Sequence, residues 1–190
     1  KSTLIYTYLG CPPFTFYNHI DINCSKRNKK ILKEILNNQK LSTIIFFGDY
    51  FQDSLSKNDK LKRSLALKKT IKAILEKNKN VIFIQPIPKI KDNLPDLKAR
   101  ESRRNIQNNY NYNLQKYLNE NQILLSTIQE IQSNQFFEIV SKDIFCSKIK
   151  NICKSEQNNN LYYIDRSHPS QFIINKIAKE LEKKMKKIFK

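Results

Sequence analysis

The sequence predicts an α/β fold: one domain, residues 1–190, in which helices cover both faces of a mainly parallel sheet, a three-layer α/β/α sandwich. Two observations carry that prediction. Continuous apolar runs of strand length, Thr43-Ile44-Ile45-Phe46-Phe47 and Val81-Ile82-Phe83-Ile84, are of the kind buried on both faces. They alternate with amphipathic stretches of helical period, the order that yields a parallel sheet. The length of 190 residues allows one full core.

The elements follow in order. Residues 4–9, β-branched and aromatic and closed by Gly10, form a strand. Cys11-Pro12-Pro13 opens an extended loop that runs to about Cys24. Ile31, Leu32, Ile35 and Leu36 mark one face of a helix over 27–38. The strand at 42–47 ends at Gly48-Asp49-Tyr50. A helix over 58–77 carries Leu61, Leu65, Ile71, Ile74 and Leu75 at helical spacing. The strand at 80–84 stops at Gln85-Pro86-Ile87-Pro88. Residues 89–96, with Pro95, read as a surface loop. A polar helix follows over 97–121, with Ile106, Tyr110, Leu114, Tyr117 and Leu118 inward. Residues 122–134 fit no single element. A strand at 136–140, a polar excursion at 146–160 and a last strand at 161–164 lead to the closing helix. That helix opens at Pro169 and bears Phe172, Ile173, Ile177, Leu181, Met185 and Ile188 on one side. In a parallel sheet ligands bind beyond the carboxyl ends of the strands. Gly10-Cys11-Pro12-Pro13, Gly48-Asp49-Tyr50, Gln85-Pro86 and Asp165 with His168 all fall at such ends.

The formal charge is +18, from 35 basic and 17 acidic residues. Such an excess favours polyanions. The basic residues are spread along helices, and the densest cluster, Lys183-Lys184-Met185-Lys186-Lys187, reads as a solvated terminal face rather than a nucleic-acid site. No apolar run reaches the length of a membrane span. The cysteines form two sequence-local pairs, Cys11 with Cys24 and Cys146 with Cys153. Neither spacing matches a zinc knuckle. They read as local disulfides of an oxidising compartment, against the alternative of four unrelated thiols.

Asp165 and His168 stand three residues apart on a tight turn, a carboxylate and an imidazole suited to nucleophilic catalysis. Chance alone places one of the eight Asp three before one of the two His in about 8% of such chains. Position at the strand-end rim raises the pair above that level. His19 has no assigned role.

In their order these segments resemble the SGNH hydrolase-like domain of acyltransferase family 3 proteins, with a flavodoxin-like sheet. The matching pieces are Gly10-Cys11-Pro12-Pro13 with Cys24, the strand 43–47, Val81 to Pro88, and Cys146 and Cys153 before Leu161-Tyr162-Tyr163-Ile164-Asp165-Arg166-Ser167-His168. The resemblance covers essentially the whole chain. It implies O-acyl, chiefly acetyl, transfer to or from cell-envelope polysaccharide, with Asp165 and His168 as two members of a Ser-His-Asp triad. It further implies Gly48, Asp49 and Tyr50 near the oxyanion position, both cysteine pairs closed as disulfides, and no metal or other cofactor. The implied partners are an acyl donor, a glycan and a membrane acyltransferase domain of the same parent chain, with this domain in the periplasm of a bacterium and no nucleic acid bound. Family members carry the nucleophile in a Gly-Asp-Ser segment upstream of the Cys-Pro-Pro loop. Here no such motif precedes Cys11, and Gly48-Asp49-Tyr50 is like it only superficially, with Tyr in place of Ser and after the wrong strand for a nucleophile. The expectation is therefore an N-terminally truncated chain, inactive alone. His168-Pro169-Ser170 also stands where the family has His-Leu-Ser. The rival readings are a non-catalytic glycan-recognition domain of the same fold and, from another class, a basic nucleic-acid-binding protein.

Overall fold

The computed structural model describes residues 6, 11–17, 21–51, 55–106 and 108–189. The expected first strand, apart from Tyr6, and Gly10 and His19 lie outside the described residues. In chain order the elements are α1 (Ile22–Asn37), β1 (Thr43–Phe46), α2 (Lys57–Leu75), β2 (Asn80–Ile84), α3 (Leu94–Arg104), β3 (Tyr112–Asn113) and α4 (Leu114–Gln129). There follow β4 (Phe136–Ile139), α5 (Ser141–Phe145), β5 (Cys146–Ser147), β6 (Ile152–Cys153), β7 (Glu156–Gln157), β8 (Asn160–Leu161) and α6 (Gln171–Ile188). Two compact units divide the chain: Lys1–Ile84 with Ile123–Glu138, and Gln85–Gln122 with Ile139–Lys190.

The first unit carries the parallel sheet, in the order β1-β2-β4. β1 and β2 run parallel with Thr43 opposite Asn80 and Phe46 opposite Phe83. On the other side Val81 N donates to Gln135 O (2.9 Å) and Gln85 N to Ile139 O (3.0 Å). Those equal four-residue advances mark a second parallel pair. Val81, Ile82 and Phe83 are wholly buried, as a strand covered on both faces should be. β1 departs from that expectation. Ile45 is exposed, and among the described strands β1 lies at the sheet edge. An apolar run of four residues does not itself distinguish an edge strand from a central one.

Leu32 and Ile35 of α1, Leu67, Ile71 and Ile74 of α2, and Leu124, Ile128 and Ile131 pack with Phe14, Phe46, Val81 and Phe83 into one core. Each such burial contributes about 1.5–3 kcal/mol. The caps set the helix bounds. Asp21 accepts from Asn23 N at 2.8 Å, so α1 begins at Ile22 and takes Cys24 into its first turn, earlier than apolar periodicity indicates. Ser56 likewise accepts from Asp59 N at 3.1 Å to open α2.

The second unit overturns three sequence expectations. The single helix over 97–121 is instead two. α3 starts at Leu94 with Pro95 in its first turn, where a missing N–H costs nothing. It ends at Asn105, whose φ of 51° is the left-handed conformation that terminates helices. Ile106 therefore lies exposed between helices instead of on an inner face. α4 continues to Gln129, through residues that fitted no element in the sequence. The polar excursion 146–160 holds ordered antiparallel ladders, β3-β6-β5 and β7-β8. Asn158 and Asn159, at φ 49° and 62°, make the two-residue turn between β7 and β8.

The strand at 161–164 is the third. Only Asn160–Leu161 is strand, and it pairs with β7, not with the parallel sheet. Tyr162 and Tyr163 are buried, their rings 5.8 and 5.9 Å from Phe145, while Ile164 is 63% exposed. The run is apolar because two aromatics turn inward around Phe145. Asp165 and His168 consequently do not follow a strand of the parallel sheet. Nor does Pro169 open the last helix: it bridges to Tyr163, and Ser170 is the N-cap of α6. Ile173 and Ile177 are the buried residues of that helix.

Candidate active site

The turn that carries Asp165 and His168 is closed by backbone bonds on both sides. Ile164 N donates to His168 O at 3.0 Å and Ser170 N to Tyr162 O at 2.8 Å. Ser170 Oγ donates back to Leu161 O at 2.6 Å, and Ile90 N donates to Arg166 O at 3.0 Å. Within this frame one carboxylate oxygen, Asp165 Oδ1, accepts from Ser167 N (2.7 Å) and His168 N (2.8 Å). The other, Oδ2, lies 2.6 Å from His168 Nδ1. One side chain thus shapes the turn and orients the imidazole.

Partial burial works against ionising Asp165, but the N–H groups of His168 and Ser167, together with the imidazole, prevail and pull its pKa from 3.8 to about 2. The carboxylate is therefore charged at neutral pH and accepts from Nδ1–H. That selects the tautomer whose Nε2 carries the lone pair. The His168 side chain is 66% exposed, that of Asp165 37%, and no partner reaches Nε2 among the described residues. A general base held by an ionised orienter, with its working nitrogen open, is the chemistry this arrangement supports.

A family model, the SGNH domain fused to AT3 domains, matches residues 1–183. The chain belongs to this SGNH family. No curated protein sequence matches it. Among solved structures it is similar to the periplasmic domain of the lipopolysaccharide acetyltransferase of Salmonella ser. Paratyphi A. The identity is 19%, the TM-score 0.64, and the match covers 90% of this chain and 69% of that one. The mixed α/β architecture expected from the sequence is thus that of an SGNH domain.

Gly48, Asp49 and Tyr50 belong to the first unit and follow β1. Gly48 and Asp49 are exposed. The Tyr50 side chain is committed to the core: its hydroxyl donates to Ile84 O at 3.2 Å, its ring meets Phe83 at 5.1 Å, and burial pushes its pKa well up. Gln85 and Pro86, in the second unit, are sealed at their carbonyls by Ser141 Oγ (2.5 Å) and Tyr117 Oη (2.7 Å). Both cysteine pairs are disulfides, Cys11–Cys24 and Cys146–Cys153. The second joins residues directly opposite each other in the β5–β6 ladder. Among the described residues no group of three or more His, Cys, Asp or Glu could hold a metal ion, and no helix is long and apolar enough to cross a membrane.

Sequence reasoning missed the supports of the turn. Ser167 acts through its backbone N–H, which carries no side-chain signature. Ser170 could have been found as a helix N-cap after the proline. Ile164, Ser170, Gln171 and Phe172 border a shallow groove of about 430 Å³ beside the turn, which periodicity does not show.

Proposed function

We propose that this SGNH domain carries out O-acyl transfer, with acetyl as the group, to or from a cell-envelope polysaccharide, and that His168 is the general base and Asp165 its orienting carboxylate in a Ser-His-Asp triad. The observation that carries the reading is the 2.6 Å contact of Asp165 Oδ2 with His168 Nδ1, with Nε2 left open. His168 Nε2 takes the proton of a Ser hydroxyl as that oxygen attacks the acyl carbonyl, and later returns a proton to the leaving oxygen. Asp165 holds the tautomer and stabilises the imidazolium. The acyl group then passes to a sugar hydroxyl, or to water. Backbone donors at the oxyanion are worth about 3 kcal/mol each. The sequence-based assignment of that role to Gly48, Asp49 and Tyr50 rests on main-chain groups, since the Tyr50 hydroxyl is engaged.

The proposed nucleophile is a Ser in a Gly-Asp-Ser segment outside these 190 residues, a motif absent from them. The domain works in the periplasm, attached to the membrane acyltransferase domain of its parent chain. Two disulfides suit that compartment. The decisive experiment labels the full-length parent protein with a serine-directed fluorophosphonate. Labelling is expected on the Gly-Asp-Ser serine, slowed by about a thousandfold or more in His168→Ala. A parent chain without that serine, or labelling unchanged by His168→Ala, would sink the enzyme reading and leave glycan recognition.

A further inference from the structure

In the first unit, the loop from Cys11 is fastened at nearly every residue. The Cys11–Cys24 disulfide ties it to α1, and Asn28 Nδ2 donates to the carbonyls of Pro12 (2.8 Å) and Phe14 (2.9 Å). Phe14 and Thr15 are buried, and Thr15 N donates to Thr70 Oγ1 at 3.0 Å. The Tyr17 ring meets the edge of Phe14 at 6.0 Å and lies 5.2 Å from the Arg63 guanidinium. Among residues 11–17 Phe16 alone is exposed, at 58%. It is also held at φ 58°, a left-handed backbone that is costly for an aromatic residue. A strained residue persists where its surroundings over-determine it, and here they display an apolar ring to solvent.

Helix α2 continues the same face. Phe16 and Tyr17 border a cleft with Lys62, Leu65 and Lys69, and Leu61, one turn before Leu65, is exposed as well. Neither Lys62 nor Lys69 has an ion-pair partner among the described residues. Asp59, the acid that lines the cleft, accepts from the Ser56 hydroxyl at 2.7 Å and is outnumbered by the two ammonium groups.

We propose that this face docks on the surface of an anionic bilayer, with Phe16, Leu61 and Leu65 entering the interface and Lys62 and Lys69 meeting lipid phosphates. The face sets three exposed apolar side chains beside two ammonium groups. They suit the interfacial zone, where rings sit at headgroup depth and lysine stems lie along apolar surface. The inference is independent of the Asp165–His168 reading. Where the parent chain tethers the domain near a membrane, a modest affinity suffices.

The chain has no Trp, so Phe16→Trp installs a single reporter. Its emission is expected to shift blue with vesicles of phosphatidylethanolamine and phosphatidylglycerol, and not with phosphatidylcholine alone. Phe16→Asn separates docking from folding, because Asn tolerates the left-handed backbone. Thermal stability should be unchanged or higher, while partitioning onto the anionic vesicles at about 0.15 M salt falls about tenfold. Lys62→Gln with Lys69→Gln should weaken it by a similar factor or more. Absence of vesicle binding, or Phe16→Asn binding as well as the parent sequence, would overturn the proposal. So would Phe16→Asn impairing the full-length protein in acetylation while leaving vesicle binding intact, which would make the face a protein contact.

Discussion

The two units of this chain are held together by different means. In the first, long periodic elements bury apolar side chains against β2, and the Cys11–Cys24 disulfide and the bonds of Asn28 and Lys79 to backbone carbonyls fasten loops onto that large core. In the second, strands of two residues, asparagine turns, a disulfide and side-chain bonds to backbone do much of the holding, around a small aromatic cluster at Phe145, Tyr162 and Tyr163. The candidate catalytic pair sits in the second kind of structure. Apart from the bond of Ile90 N to Arg166 O, its frame is made of hydrogen bonds local in sequence, so the pair stays exposed and can be altered without opening a core. Stability and activity should therefore separate: the first unit dominates one, the turn the other.

Breaking the contrast from the first unit gives the largest effect. Phe83→Ala removes a wholly buried ring from the central strand and should cost about 3–5 kcal/mol in urea unfolding. Converting Cys11 and Cys24 to Ser opens a loop with a sequence separation of 13 and should cost about 3 kcal/mol, read as a lower thermal midpoint under oxidising conditions. In the second unit the effects shrink. Tyr117→Phe leaves Pro86 O without its buried donor and should cost about 1–2 kcal/mol.

Asp165→Asn sharpens the comparison most. The folded carboxyl titrates near 2, below its ordinary 3.8, so its stabilisation is fully present above about pH 5 and disappears as pH falls through 2. With more than a third of the side chain exposed, that stabilisation is about 1 kcal/mol or less. The stability gap between Asp165→Asn and the parent sequence should close over that acid range, while serine labelling of the full-length protein falls by orders of magnitude at neutral pH. Smallest of all, Ile164→Ser should change stability by no more than about 0.5 kcal/mol. A loss of several kcal/mol there would restore the buried-strand reading of residues 161–164.

Much of the first unit was legible because its signals are additive and local. Ile71 and Ile74 repeat at helical spacing and are buried, although Leu61 and Leu65, read with them, face solvent, and the run Val81-Ile82-Phe83-Ile84 has the length and composition of a buried strand. The residues that misled are those whose role depends on a partner far along the chain. Leu161-Tyr162-Tyr163-Ile164 has the composition of a strand, yet its tyrosines turn inward to Phe145 and its isoleucine outward. Asn105 looks like one more polar helical position, and only its left-handed backbone shows that the helix ends there. Tyr50 was read beside Gly48 and Asp49 as part of a site. Its hydroxyl goes to Ile84 O, a bond that spans 34 positions and leaves no local pattern.

For the site, the sequence by itself determined the pairing of Asp165 with His168. A three-residue separation on a turn brings carboxylate and imidazole within reach almost regardless of what surrounds them, and the cysteine pairs close for the same reason of proximity. What only the tertiary structure decided is how that pair is presented. The apolar run before it is folded back by Ser170 N to Tyr162 O and by the bridge of Tyr163 to Pro169, so the turn leaves from a small aromatic core and not from the parallel sheet. Backbone hydrogen bonds of that kind are open to almost any side chain. Their partners are chosen by how the rest of the chain packs, and composition and periodicity hold no trace of the choice.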